Sequence, residues 1–379
     1  MVSAVSAVPV AADGVVRFTV ADPDHALAAV RLYQELQRPY DGPELVWHDG
    51  LWSVEVPARG ALRVEYLLSL RSADGRVSSG PDPANPLRAP GPFGEKSVVE
   101  LPGYQPPAWL QDAARTQRAG SLREVFFPCR RLGREVRALL WTSAGAAQRD
   151  RLPLLVANDG PEYAEFSELL AYLDVATATG RLPAMHAALL APGDRNQEYS
   201  ASDGYADALA FELLPGILAE LAVPEGAGAL VGMGASLGAL AMLHAHRRHP
   251  GLFGGLLLQS GSFFQRRTDP EESGFGRFTS ISGFVRGVLV DSGPAPDPIT
   301  VRLTCGTVEE NLGNNKAMAA ALARQGYTVT LGRVADGHNW VSWRDAFDVH
   351  LQSLLAGLWN CRPERPEHPE HPEHPEHPA

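Results

Sequence analysis

The sequence predicts an α/β protein: a mostly parallel sheet with helices on both faces, preceded by a small β-sandwich. Three observations predict it. From about residue 120, short and wholly apolar runs alternate with helix-length segments, as buried parallel strands and their crossover helices do. Over roughly the first hundred residues, apolar and polar side chains instead alternate between Asp, Gly and Pro turns. The 379-residue length has room for about two domains.

The elements follow in order. VVRFTVADP, ALAAVRLYQEL, ELVWHDGLWSVEVPA and LRVEYLLSLRSADGRV read as strands, with Asp49-Gly50 as a hairpin turn. PDPANPLRAPGPFG, residues 81–94, is too proline-rich for a regular element. Strand-like SVVELPGY follows, and PPAWL closes the region. Residues 1–110 are therefore read as an immunoglobulin-like β-sandwich with a Pro-rich linker. LREVFFPCRRL and REVRALLWTSAG form a two-strand entry around Gly133-Arg134. LPLLVAND, MHAALLAPG, GALVGMGAS, GGLLLQSGS, ITVRLTCGT and TVTLGRVA are the apolar strands. SELLAYLDVATATG, YADALAFELLPGILAEL, LGALAMLHAHRRHP, NNKAMAAALARQG and WRDAFDVHLQSLLAGLW are the helices between and after them. Residues 263–297 show no clear periodicity and sit where a lid over the strand ends would be. This second domain spans 111–360.

From Arg362 the chain reads RPERPEHPEHPEHPEHPA. Proline at every third position denies it helix and sheet ladders, so residues 361–379 are expected to form an extended, solvated tail. His368, His371, His374 and His377 lie about 9 Å apart at ~3.1 Å per residue, too far for neighbours to share one ion without bending. No metal or cofactor is expected.

Composition excludes several classes. The net charge of −11 argues against a general nucleic-acid binder. No apolar run approaches the ~20 residues that span a bilayer. The N-terminal stretch has no Lys or Arg before Arg17, unlike a secretory signal, and reads as a frayed terminus. Three cysteines, Cys129, Cys305 and Cys361, are odd in number and far apart. That suits a reducing, cytoplasmic compartment better than a disulfide framework.

The chemistry starts at Gly234-Ala235-Ser236-Leu237-Gly238, a G-x-S-x-G between a buried strand and a helix. This is the context of a nucleophile elbow in the α/β-hydrolase fold. The glycines allow a sharp turn that lifts Ser236 Oγ above the sheet, and the following helix aims its free N–H groups at developing negative charge. The partners come in the expected order. Glu309 and Glu310 follow VRLTCGT after a single Val308, and His338 follows TVTLGRVA in a loop where a base can work. Glu309 is the first candidate for the acid, with Glu310 and Asp336 as alternatives. His338 would take the serine proton and return it to the leaving alcohol. One oxyanion donor is the backbone N–H of Leu237; the other is that of Asp159 or Gly160, after LPLLVA. Arg195 and Glu198 lie after MHAALLAPG on the same rim, where an arginine could hold a substrate anion or brace the loop.

These pieces together resemble the enterochelin esterase-like group of serine esterases in the α/β-hydrolase superfamily. The resemblance rests on the Trp-bearing β-domain with PDPANP, then NDGPEY, DRNQEY, GASLGALAML, LLLQSGSFF, CGTVEENL and DGHNW in this order. It implies a Ser–His–acid hydrolase opening esters of iron-chelating catecholate siderophores, with the β-sandwich packed near the site. Ser236 matches the nucleophile and His338 the base. In related feruloyl-type esterases the acid follows CGT directly, which matches Glu309, although with Glu in place of Asp. Arg195 and Glu198 match the family's R-x-x-E stretch.

An anionic aromatic ester calls for cations and aromatic rings. The 263–297 segment offers Phe263, Phe264, Phe275, Phe278 and Phe284 with Arg266, Arg267, Arg277 and Arg286, among them Arg267 as a substrate-binding candidate. It also carries five acidic residues, so only their arrangement in space could make it cationic. The expected partner is a small-molecule ester, with a ferric siderophore as the candidate. Another acyl or aryl ester, an acyltransferase activity, and an idle binding protein are the competing readings.

Overall fold

The computed structural model describes residues 9–37, 42–115, 120–146 and 150–359. The expected tail lies outside them. The N-terminal part holds β1 (Val10–Ala12), β2 (Val15–Ala21), β3 (Leu27–Gln34), β4 (Val46–His48) and β5 (Leu51–Pro57). It continues with β6 (Arg63–Ser72), β7 (Val77–Gly80), β8 (Arg88–Ala89) and β9 (Lys96–Glu100). They make two antiparallel sheets, ordered β1-β2-β5-β4 and β3-β6-β9-β8, with β7 beside β6. The inward residues of both, including Phe18, Val30, Leu32, Trp52 and Tyr66, share one apolar core. Alternation of buried and exposed positions along β2 and β3 is what produces this face.

The proline-rich run after β7, read as too proline-rich for a regular element, does contribute the two-residue strand β8 beside β9, and is otherwise held by side chains. Asp82 accepts from the Tyr66 hydroxyl at 2.7 Å, and Asn85 donates to the Val98 carbonyl at 2.7 Å. PPAWL, expected to close a linker, instead enters helix α1 (Trp109–Arg115). Trp109 is buried edge-on against Tyr172 in the core of the second half, so burial of the indole docks the segment.

The remaining strands are β10 (Ser121–Cys129), β11 (Arg134–Thr142), β12 (Leu154–Asn158), β13 (His186–Leu190), β14 (Leu230–Ala235), β15 (Gly255–Gln259), β16 (Thr300–Gly306) and β17 (Thr328–Val334). They form one eight-stranded sheet ordered β10-β11-β13-β12-β14-β15-β16-β17. β11 runs antiparallel to both its neighbours, and every pair from β13 to β17 is parallel. Helices cover both faces over two buried clusters. This is an α/β-hydrolase fold with an antiparallel β domain in front of it.

The crossover helices that matter for the site are α2 (Gly160–Phe166), α3 (Leu169–Ala178), α4 (Arg195–Glu198), α5 (Asp203–Ala208) and α6 (Leu214–Glu220). They are followed by α7 (Leu237–Arg248), α8 (Phe278–Val290), α9 (Leu312–Arg324), α10 (Trp340–Asp345) and α11 (Gln352–Leu358). Helix α8 corrects the reading of 263–297 as aperiodic. It buries Phe278, Ile281, Val285 and Val288, an apolar stripe at helical spacing. Two interior glycines, Gly283 and Gly287, weaken its local helix signal.

Candidate active site

Three loops at the carboxyl ends of β14, β16 and β17 bring Ser236, Glu309 and His338 to one cleft. Ser236 sits between β14 and α7 at φ 56° and ψ −122°, a strained conformation for a residue with a Cβ. The turn is so tight that a Cβ on Gly234 would lie 2.5 Å from the Gly238 backbone. Backbone bonds hold it: the Ser236 N–H donates to Gln259 O at 2.8 Å, and Ser236 O accepts from the Ser262 N–H at 3.1 Å. The Ser236 and Ser262 hydroxyls share a hydrogen bond of 3.0 Å. No hydrogen bond joins Ser236 Oγ to His338 in this state. Catalytic contacts of this kind commonly tighten only with substrate bound.

His338 Nδ1 lies 2.8 Å from Glu309 Oε2. The other carboxylate oxygen accepts from Ser260 Oγ at 2.6 Å and the Gly306 N–H at 2.6 Å. Trp343 completes the shell, donating from Nε1 to Ser260 Oγ at 2.9 Å and standing edge-on to the His338 ring. Burial alone would raise the Glu309 pKa. Attraction to His338 and its three hydrogen-bond donors outweigh burial and hold it below the usual range. Burial works against a charged His338, but the Glu309 carboxylate, helped by Glu35, raises the imidazole above its usual value. With Nδ1 on the carboxylate, Nε2 is the nitrogen left to take a proton.

The alternative acids lie elsewhere. Glu310 is exposed at the rim of the cleft. Asp336 turns away and is buried against Arg63, Asn339 and the Gly337 N–H. Burial pushes its carboxyl up to about 7 against the pull of Arg63.

Leu237 and Gly160 are the first residues of α7 and α2, so neither N–H has an acceptor within its helix. Asp159 is in a left-handed conformation, φ 51°, and its own N–H faces the Tyr199 hydroxyl at 3.3 Å. Position 160 must be glycine, because a Cβ there would sit 2.3 Å from Leu189. Of the two candidates on this loop, Gly160 thus has the amide not already engaged.

The remaining candidates divide. Arg195 grips Asp159 with two bonds of 2.8 Å and still borders the cleft, so it braces the loop between β12 and α2. Glu198 is buried in a two-pronged pair with Arg134, at 2.8 and 2.7 Å, and also accepts from the Gly193 N–H. It ties the rim loop to β11 and does not line the cleft. Arg267 is exposed on the surface and lines neither lobe described below. Phe263 and Phe278 are core residues, and Phe264 alone of the five segment phenylalanines borders the cleft.

The cleft has two lobes that share Ser236 and His338. One, of about 420 Å³, is walled by Tyr33, Gln34, Glu35, Glu65 and Lys96 of the N-terminal sheets. The other, of about 330 Å³, lies between Trp340, Trp343 and the Pro90–Gly94 loop, whose Phe93 is fully exposed. The resemblance implies a β-sandwich packed near the site but points to none of these N-terminal residues, and no local pattern in the sequence marks them. Among the described residues no cluster of side chains is suited to a metal ion, and no helix is long and apolar enough to cross a membrane.

Comparison with known proteins gives the family of the chain. Residues 131–354 match the family described as "Putative esterase". The iron(III) enterobactin esterase of Dickeya dadantii is 28% identical over 287 residues, covering 72% of this chain and 65% of that protein. The chain thus spans slightly less than two thirds of that relative. The iron(III) enterobactin esterase of Escherichia coli O6:H1 is 26% identical, covering 78% of this chain and 71% of that protein. In structure, the Shigella flexneri enterobactin esterase crystallised with enterobactin superposes at TM-score 0.68 and 22% identity, covering 91% and 93% of the two chains. The Salmonella typhimurium ferric enterobactin esterase gives 0.67 at 21% identity, covering 94% and 97%. At these identities the structural likeness speaks for the fold. The family match covers more than half of the sequence and contains all three cleft residues, so this chain belongs to the esterase family that the match defines.

Proposed function

We propose that the protein is a serine esterase that cleaves carboxylic esters through an acyl-enzyme. The carrying observation is the 2.8 Å contact of His338 with buried Glu309, in a cleft whose wall includes Ser236 at a strained elbow. His338 Nε2 takes the proton of Ser236 Oγ as the oxygen attacks the ester carbonyl, breaking the Ser236–Ser262 hydrogen bond. The N–H groups of Leu237 and Gly160 hold the oxyanion. His338 then protonates the leaving alcohol, and water, deprotonated by the same ring, releases the acid.

The substrate is an ester of a catecholate siderophore. The relatives are named for iron(III) enterobactin, and the lobe formed by Phe93, Trp340 and Trp343 offers aromatic faces beside the nucleophile. Iron would enter as cargo of the substrate. A second reading, hydrolysis of another acyl or aryl ester, draws on the larger lobe. Its wall carries Glu35, Glu65, Glu272, Glu309 and Glu310 against Lys96, an unfavourable lining for a strongly anionic ferric catecholate. The free, buried thiols Cys129 and Cys305 accord with a reducing, cytoplasmic setting.

The test is fluorophosphonate labelling followed by an ester panel. Wild type should label at Ser236, and Ser236→Ala should lose labelling and several orders of magnitude of turnover. Labelling that persists on another serine would sink the assignment. Faster cleavage of a catecholate siderophore ester than of simple acyl or aryl esters favours the first substrate reading; the reverse order favours the second.

A further inference from the structure

We propose that the N-terminal sheets form part of the catalytic apparatus as the holder of the histidine loop, with Glu35 and Arg63 as positioning residues for His338. The proposal rests on His338 being the base. The loop from Ala335 to Asn339, between β17 and α10, is tied to the N-terminal part at almost every residue. The Leu62 N–H donates to Ala335 O at 2.7 Å. The guanidinium of Arg63 reaches Asp336 Oδ2 at 3.2 Å and Asn339 Oδ1 at 3.3 Å. Gly337 passes so close beneath Glu35 that a Cβ would lie 2.3 Å from its Oε2. The His338 N–H donates to that same carboxylate oxygen.

Each tie has a physical consequence. Arg63 and Asp336 are both 3% exposed, so neither can turn to water if its partner is lost. Asn339 caps α10 through the Ser342 N–H at 2.8 Å, so Arg63 also fixes where the helix after the histidine begins. Val308, next to Glu309, packs on the N-terminal core, which extends the grip to the acid's loop. The hydrolase half itself offers the His338 side chain one hydrogen bond, from Glu309, and one ring contact, from Trp343. The His338 backbone N–H itself is bonded from the other half of the molecule, through Glu35.

The charged groups around the imidazole are Glu309 after β16, Glu35 after β3 and Lys96 on β9, with Arg63, Glu65 and Asp336 behind the loop. Lys96 lies 3.3 Å from Glu65, and Arg63 lies 2.9 Å from the same carboxylate. Glu35 therefore acts in two ways: its oxygen holds the backbone, and in its ionised form, which burial disfavours and Lys96 and His338 favour, its charge supports the protonated ring.

The experiment uses the full chain and a small fluorophosphonate, reading both labelling stoichiometry and labelling rate. A displacement of about 1 Å from productive geometry can lower a rate ~100-fold. Arg63→Ala and Glu35→Ala should label to full stoichiometry but ~10- to 100-fold more slowly, with KM for a small ester little changed. A merely structural role would lower stoichiometry and leave the rate of the folded fraction at the wild-type value. Glu35→Gln keeps an acceptor for the His338 N–H. It should recover the rate at high pH to within about threefold, and the kinetic pKa should move down. If Arg63→Ala is not recovered as soluble protein, the two Glu35 variants decide. Wild-type labelling rates in Glu35→Ala, or a Glu35→Gln variant as slow as Glu35→Ala, would overturn the proposal. Failure of wild type to label at Ser236 would instead overturn the esterase reading beneath it.

Discussion

Replacing Glu309 by glutamine probes the site most sharply, because the carboxylate's hydrogen bonds dictate how the amide must sit. Two donors, Ser260 Oγ and the Gly306 N–H, converge on one carboxylate oxygen at 2.6 Å each. The other oxygen faces His338 Nδ1 at 2.8 Å. A glutamine that points its oxygen at the two donors must turn its NH2 toward Nδ1. The opposite flip would set its NH2 against two donors, which is worse. Nδ1 then becomes an acceptor, the ring proton moves to Nε2, and Nε2 can no longer take a proton from Ser236. Wrong-tautomer substitutions of this kind lower kcat by about 10⁴-fold. At 1.36 kcal/mol per decade that is about 5.4 kcal/mol of transition-state stabilisation. The assay is steady-state hydrolysis of a chromogenic aryl ester, with near-ultraviolet circular dichroism to show intact packing and Glu310→Gln as the exposed control. Since ionised Glu309 is favoured in the fold, its stabilising effect is present above the ordinary glutamate pKa and is lost as pH falls through the lowered folded value. The difference in Tm between wild type and variant should therefore close in acid. A Glu309→Gln enzyme within tenfold of wild type, or a Glu310→Gln loss of equal size, would refute the argument.

Two further outcomes follow from the cleft. Because Glu309 raises the His338 pKa and the base must be neutral, kcat/KM should climb with pH through an apparent pKa above 6.5; a midpoint at or below 6.5 contradicts the geometry. Phe93→Ala removes a side chain with no core contact, so Tm should hold while KM for aryl esters rises ~2- to 10-fold, the range of one aromatic contact; an equal effect on an acetyl ester would count against stacking.

Much of the fold was legible because its signals are local. The wholly apolar strands, the helices between them and the glycine pair around Ser236 each need only a short window of sequence. The chain order of Ser236, Glu309 and His338 is legible for the same reason, since each follows a recognisable strand. What was not legible depends on distant partners. Glu198 faces Arg134 from a strand some sixty residues earlier, and nothing in DRNQEY announces that pairing. Arg267 lies in a segment rich in Arg and Phe, but the phenylalanines that pack inward leave it on the surface. The cleft walls from β3, β6 and β9 arise only once two separately patterned halves dock, a step that no periodicity encodes.

The grip on the histidine loop also bears on how the molecule acquires activity as it folds. Glu35 and His338 are 303 positions apart, and Arg63 and Asp336 are 273 apart. Contacts of such separation close late, after the local sheets and helices have formed. A ribosome must deliver nearly the whole chain before the base can be seated, whereas the strand–serine–helix turn can form from neighbouring segments alone. During refolding from denaturant, backbone circular dichroism should recover before ester turnover, with labelling of Ser236 tracking the slower phase. Simultaneous recovery would mean that the loop finds its place without its distant holder.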